Sequence, residues 1–149
     1  MGAEVGDAVS SRSRIPGIII HHSASSIHST PQEIDDWHRD RGFGGIGYHY
    51  AIHCPRGSST WRTTAHRPEG SPGAHCLNRQ TWIGIVVCGH YDLLELQAGA
   101  INELIQLCAE IRARLGVLPI TGHRDHRVTR CPGDRLYSAL STIDSLLPL

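Results

Sequence analysis

The run Ile18-Ile19-Ile20 constrains the fold more than any other stretch of the chain. Three β-branched residues in succession, entered from Pro16-Gly17 and left at His21-His22, suit a short strand buried on both faces. Such a strand needs material packed on each side of its sheet, which points to an α/β domain. Side chains alternate along a strand, so His21 and His22 point to opposite faces and at most one of them serves a given site.

The remaining elements follow from local cues. Thr30-Pro31-Gln32-Glu33 is a helix start with an N-cap threonine, a first-turn proline and a capping-box glutamate, and Gly42 is its stop. Ile34, Trp37 and His38 form its apolar stripe. Strands are expected at Tyr48–His53, Ser59–Thr64, Ile83–Cys88 and Val117–Thr121. Ile101, Leu104, Ile105, Cys108, Ile111 and Leu115 recur at helical spacing, predicting a helix over Leu93–Leu115 closed by Gly116. Leu136, Leu140, Ile143 and Leu147 mark a last helix, with Asp134 as its cap. The order β–α–β–β–β–α–β–α gives a single domain with a central mixed sheet flanked by three helices, starting near Ile15. Residues 1–14 read as a frayed leader without periodicity.

The second organising stretch is Gly122–Pro132, G-H-R-D-H-R-V-T-R-C-P, bracketed by His123 and Cys131. Imidazole nitrogen and thiolate sulfur are the ligands that zinc favours, and a catalytic zinc takes three protein ligands while keeping a fourth position open. The third donor is His21 or His22, which would join the two ends of the domain. Cys131 sits just before the last helix and next to Arg130, a setting that favours a thiolate. A cysteine nucleophile of the Cys–His type is the competing reading of the same residues.

Composition narrows the chemistry. With 14 basic and 14 acidic residues the formal charge is zero, and no block of like charge suggests nucleic acid as the partner. Histidine is over-used, 11 residues against one Phe and one Met, which suggests metal or proton chemistry. The five cysteines are an odd number without the dense spacing of a disulfide scaffold, so reduced thiols are expected. The polar first 14 residues lack the apolar core of a signal peptide, and no run is long enough to span a bilayer. These features predict synthesis in the cytoplasm, with access to any extracytoplasmic target depending on a holin or on lysis.

Five motifs, I-I-I-H-H-S-A, G-Y-H-Y-A-I, G-A-H-C-L-N, W-I-G-I-V-V and G-H-R-D-H-R-V-T-R-C-P-G, occur in one order from Ile18 to Leu147. Together they resemble the zinc-dependent N-acetylmuramoyl-L-alanine amidases: phage lysins, bacterial autolysin domains and animal peptidoglycan recognition proteins. The resemblance implies one zinc ion held by His21, His123 and Cys131, with Tyr48 and Thr129 as catalytic residues. It also implies contacts to muramyl-peptide from His75 and Asn78. At the position of Thr129 many phage members carry lysine, whereas recognition proteins with amidase activity often carry threonine. Thr129 donates only a neutral hydrogen bond, about half as strong as a charged one.

The implied function is hydrolysis of the amide joining N-acetylmuramic acid to L-alanine in peptidoglycan, as an endolysin or autolysin. A non-catalytic peptidoglycan-binding module of the same fold is the alternative. No motif identifies the proton donor to the leaving amine, and the protein is expected to act as a monomer. His28, His53, His90 and His126 read as surface or turn residues, His49 as packed into the sheet, and Cys88 and Cys108 as small core residues. Cys76 reads as filling space beside the groove. Trp61 belongs to the core or lines the groove.

Overall fold

In the computed structural model, which describes residues 15–148, all five residues of the Ile-Ile-Ile-His-His strand are buried. The elements follow in the order β1 (Ile18–His22), α1 (Pro31–Asp40), β2 (Tyr50–His53), β3 (Arg62–Ala65), β4 (Ile83–Val87), α2 (Ala98–Leu115), β5 (Ile120–Gly122), a 3-10 turn (His123–Asp125) and α3 (Asp134–Ser145). One sheet has the order β3-β2-β4-β1-β5. Only β2 and β3 run antiparallel; β1 is parallel to β4 on one side and to β5 on the other. This is the mixed sheet with three helices expected from the sequence.

Alternation assigns the two faces. Ile18, Ile20, Ile52, Ile83, Ile85 and Val87 join Leu104, Cys108 and Ile111 of α2 and Leu136, Leu140 and Ile143 of α3 in the main core. On the other face Ala51 and Val86 pack with Ile34 of α1, Ile46 and Cys88. His21 therefore emerges on the α1 face and His22 on the opposite one. α1 starts as its sequence dictates: the Glu33 amide donates to Thr30 Oγ1 at 3.1 Å and the Thr30 amide to Glu33 Oε1 at 3.2 Å.

Several boundaries differ from expectation. α2 begins at Ala98, because the Leu93 and Leu94 amides both donate to the His90 carbonyl in a turn and Gln97 is extended at the cap. Leu93 is exposed, so its apolar character does not report a helical stripe. β2 begins at Tyr50, since the backbone of His49 is engaged by Gly84 and His66 outside the regular ladder. β3 is Arg62–Ala65, and Trp61 before it is buried in the main core away from the groove. β5 begins at Ile120, leaving Val117 exposed. Asp134 is the first residue of α3 rather than its cap; Gly133 precedes it at φ 89°, and the Asp134 amide donates to Asp92 Oδ1 at 2.8 Å. The leader expected over residues 1–14 lies outside the described residues. No helix among the described residues is long and apolar enough to cross a membrane.

Ile20 is fully buried in β1 between both neighbouring strands. Ile20→Ala should lower the free energy of unfolding by about 2–5 kcal/mol with an unchanged denaturant slope. A loss below about 1 kcal/mol in urea titration would contradict the central placement of this strand.

Candidate metal centre

Three segments converge at the carboxyl ends of β1 and β5. β1 delivers His21, β5 runs into the turn that carries His123, and the following loop returns Cys131 toward β1. That loop is tied to itself: the Arg124 amide donates to the Cys131 carbonyl at 3.0 Å, and the amides of His126 and Arg127 both donate to the His123 carbonyl. The Gly122 amide donates to Asp125 Oδ2 at 2.8 Å, and Tyr137 on α3 holds the other carboxylate oxygen of Asp125. An open α/β sheet places its ligand sites at such strand ends.

One ligand atom each from His21, His123 and Cys131 lies within 4.8 Å of the other two. His21 Nδ1 stands 3.6 Å from Cys131 Sγ. Two ligands on a tetrahedral zinc with bonds of ~2.0–2.3 Å are separated by roughly 3.5 Å, so the donor set and its spacing fit this ion. His22 is not part of the cluster. Its Nδ1 accepts from the Tyr91 amide at 3.2 Å, and its own amide donates to Cys131 Sγ at 3.4 Å.

Burial governs the electrostatics. Desolvation, then the neighbouring His75 and His123, hold His21 well below the ordinary imidazole value, and burial likewise lowers His123. Both present lone pairs at neutral pH. Burial pushes the Cys131 thiol up to about 12, outweighing the His22 amide and the Arg124 guanidinium that favour its thiolate. This corrects the expectation of a thiolate promoted by Arg130 and the last helix. Arg130 Nε is instead 2.9 Å from Asp92 Oδ2, and α3 starts only at Asp134. A thiol held neutral by its surroundings is a poor nucleophile, and a cation is the partner that would ionise it.

Tyr48 packs its ring 5.0 Å from that of His21 and 5.3 Å from that of His38. Burial, then Cys131, raises its phenol above the ordinary value, so it remains a donor. Thr129 Oγ1 accepts from the Cys131 amide at 3.2 Å, which leaves the hydroxyl proton free to donate into the cleft it lines. His75 is buried in the cleft floor, with its ring nitrogens 2.9 Å from His21 Nε2 and from the Trp82 carbonyl. Asn78 is exposed at φ 64° and does not line the cleft.

The cleft above these residues measures about 1110 Å³. Phe43, Leu77, Leu93 and Val128 stand exposed around it. Arg41, Arg127 and Arg130 line it against one acid, Asp92, among the described residues. A chain of zero formal charge thus presents a positive groove. Sequence reasoning missed Arg41, which lies in no motif, and gave no role to Arg127 although it lies within the Gly122–Pro132 stretch. It read His53 as a surface or turn residue, although it is buried in β2, and His90 likewise, which sits at a turn and also lines the cleft. His38 does more than cover a helix face, since its Nδ1 accepts from the Gly47 amide at 2.8 Å beside Tyr48.

The N-acetylmuramoyl-L-alanine amidase family model matches residues 11–134. The chain belongs to this family. It is similar to peptidoglycan recognition protein 1 of Bos indicus, 30% identical over 138 residues that span 83% of this chain and 69% of the relative. Among solved structures it is similar to the N-acetylmuramoyl-L-alanine amidase LysC from Clostridium intestinale, with a TM-score of 0.77 and 27% identity, covering 91% of this chain and 86% of that one. A mutant of Drosophila PGRP-LB in complex with tracheal cytotoxin superposes with a TM-score of 0.74 at 27% identity, covering 86% and 80% of the two chains. The family comprises peptidoglycan amidases and relatives that recognise peptidoglycan.

The depressed imidazoles make the metal-free protein acid-sensitive. His75, lowered by burial to about 4 from 6.5, binds a proton in the unfolded chain before it does in the folded one. Its contribution of up to about 3 kcal/mol is present above pH 6.5 and is lost as pH falls toward 4. Thermal melts of chelator-treated protein between about pH 7.5 and 4.5 should show a falling Tm, and a flat profile would contradict the neutral assignment.

Proposed function

We propose that the protein is a zinc-dependent N-acetylmuramoyl-L-alanine amidase that hydrolyses the amide between the lactyl group of N-acetylmuramic acid and L-alanine of the stem peptide. The observation that carries this reading is the convergence of His21, His123 and Cys131 in the floor of an open cleft beside Tyr48 and Thr129. His21, His123 and Cys131 would hold the ion. Zinc bound there supplies Lewis acidity toward the scissile carbonyl and the attacking water.

The chain's own groups supply the rest. Tyr48, kept protonated by burial, donates a hydrogen bond that orients water or steadies the tetrahedral intermediate. Thr129 donates its free hydroxyl proton toward the developing oxyanion. Arg41 and Arg127 give the groove a positive field that suits stem peptides carrying carboxylates. The biological role we assign is degradation of the bacterial wall, as an endolysin or autolysin.

The test is mass spectrometry of fragments released from purified peptidoglycan by zinc-loaded and by chelated protein. Free stem peptides with a new L-alanine amino terminus, appearing only with zinc, are expected. Tyr48→Phe should bind zinc normally and hydrolyse at least tenfold more slowly, while Cys131→Ser should lose both zinc and activity. Wall binding without release from several wall types would favour a recognition module, and release that survives chelation would make Cys131 a nucleophile.

A further inference from the structure

The hydrogen bonds beneath the centre have a direction that a single acceptor dictates. The Trp82 carbonyl can only accept, and it lies 2.9 Å from His75 Nε2, so that nitrogen bears a hydrogen. A neutral imidazole has one N–H, which leaves His75 Nδ1 as an acceptor. That atom is 2.9 Å from His21 Nε2, which must therefore be the donor. His21 then keeps its lone pair on Nδ1, the atom 3.6 Å from Cys131 Sγ.

We propose that His75 is a positioning residue: by accepting from His21 Nε2–H it fixes the tautomer and orientation of His21, so that Nδ1 faces the position shared with His123 and Cys131. The inference rests on the reading of those three residues as a zinc centre and deepens it. A metal-bound histidine usually donates its second N–H to a carboxylate, a carbonyl or water. Here a neutral ring relays the bond to a backbone carbonyl. A zinc ion with one thiolate and two neutral imidazoles has a formal charge of +1, and a neutral partner beneath His21 preserves it where a carboxylate would cancel it.

The fold is shaped to seat this ring. A Cβ on Gly84 of β4 would come within 2.5 Å of His75 Cδ2 and Cγ, and a Cβ on Gly73 within 2.5 Å of His75 Cδ2. The missing side chains form the slot. The loop that carries His75 is docked by the Ala74 amide on the Gly47 carbonyl at 2.9 Å, and the ring of His49 bridges it to the sheet, between the Ser71 carbonyl and the Gly84 amide.

Long-range ¹H–¹⁵N correlation spectra of the metal-free, otherwise unaltered protein test the direction of the relay. They should show His21 and His75 both as Nε2–H tautomers; His21 as the Nδ1–H tautomer would overturn the proposal. Zinc affinity, read by competition with a chromogenic chelator, tests the consequence. His75→Ala should bind zinc about 10–100-fold more weakly, and His75→Asn, whose Oδ1 can take the place of Nδ1, should recover most of that loss. A folded His75→Ala that binds zinc within about twofold of the parent would also overturn it, and if that variant does not fold, the spectra of the parent decide. Wall hydrolysis assayed on the same samples separates the two claims: an intact relay with zinc bound but no release of stem peptides defeats the amidase reading alone.

Discussion

Everything at the site depends on the parallel pairing of β1 with both β4 and β5. This arrangement sets Ile18 beside Ile83 and Ile120, and so brings the first strand of the described chain to the loop that closes the last third. The ladder carries His21 to within 3.6 Å of Cys131 Sγ, and the next amide of the strand, on His22, grips the same sulfur. Register is therefore chemistry here. A slip of one residue in β1 would exchange His21 for His22 and turn the imidazole of the centre into the opposite core.

Desolvation is the dominant electrostatic effect around this junction. It holds the imidazoles neutral and the thiol protonated, and at Cys131 it outweighs the His22 amide and the Arg124 guanidinium. Arg130 is drawn aside by Asp92, and the same carboxylate receives the first amide of α3. One acid thus caps a helix and diverts a cation from the sulfur. The cost of burying neutral nitrogen donors is small compared with that of burying charges, so the centre can be assembled in advance of any ion.

What could be read from the sequence was what depends on neighbours in sequence. The capping box of α1, the doubly buried strand and the His123–Cys131 loop are local patterns, and each folds as its residues dictate. The start of α2 was misjudged because Leu93 is apolar and exposed, which hydrophobic spacing cannot distinguish from apolar and buried. The seat of His75 was invisible for a different reason: it is a gap left by Gly84 on another strand, and absent side chains carry no periodicity. The pairing of Arg130 with Asp92 is likewise a contact between segments far apart in sequence, and nothing at either residue announces it.

The wall of the cleft formed by residues 66–79 has a property that its length conceals. Arg114 on α2 chelates Glu69 with two hydrogen bonds, Tyr50 donates to the same carboxylate, and Arg67 spans the loop from the Ile46 carbonyl to the Pro72 carbonyl. A segment without regular structure is thereby stapled as firmly as a strand, and its ordering entropy is spent during folding rather than on encounter with a ligand. Rim residues such as Leu77 therefore stand on a fixed frame. Ligand preference in this molecule can diverge by exchanging those side chains one at a time, with the backbone beneath them left as it is.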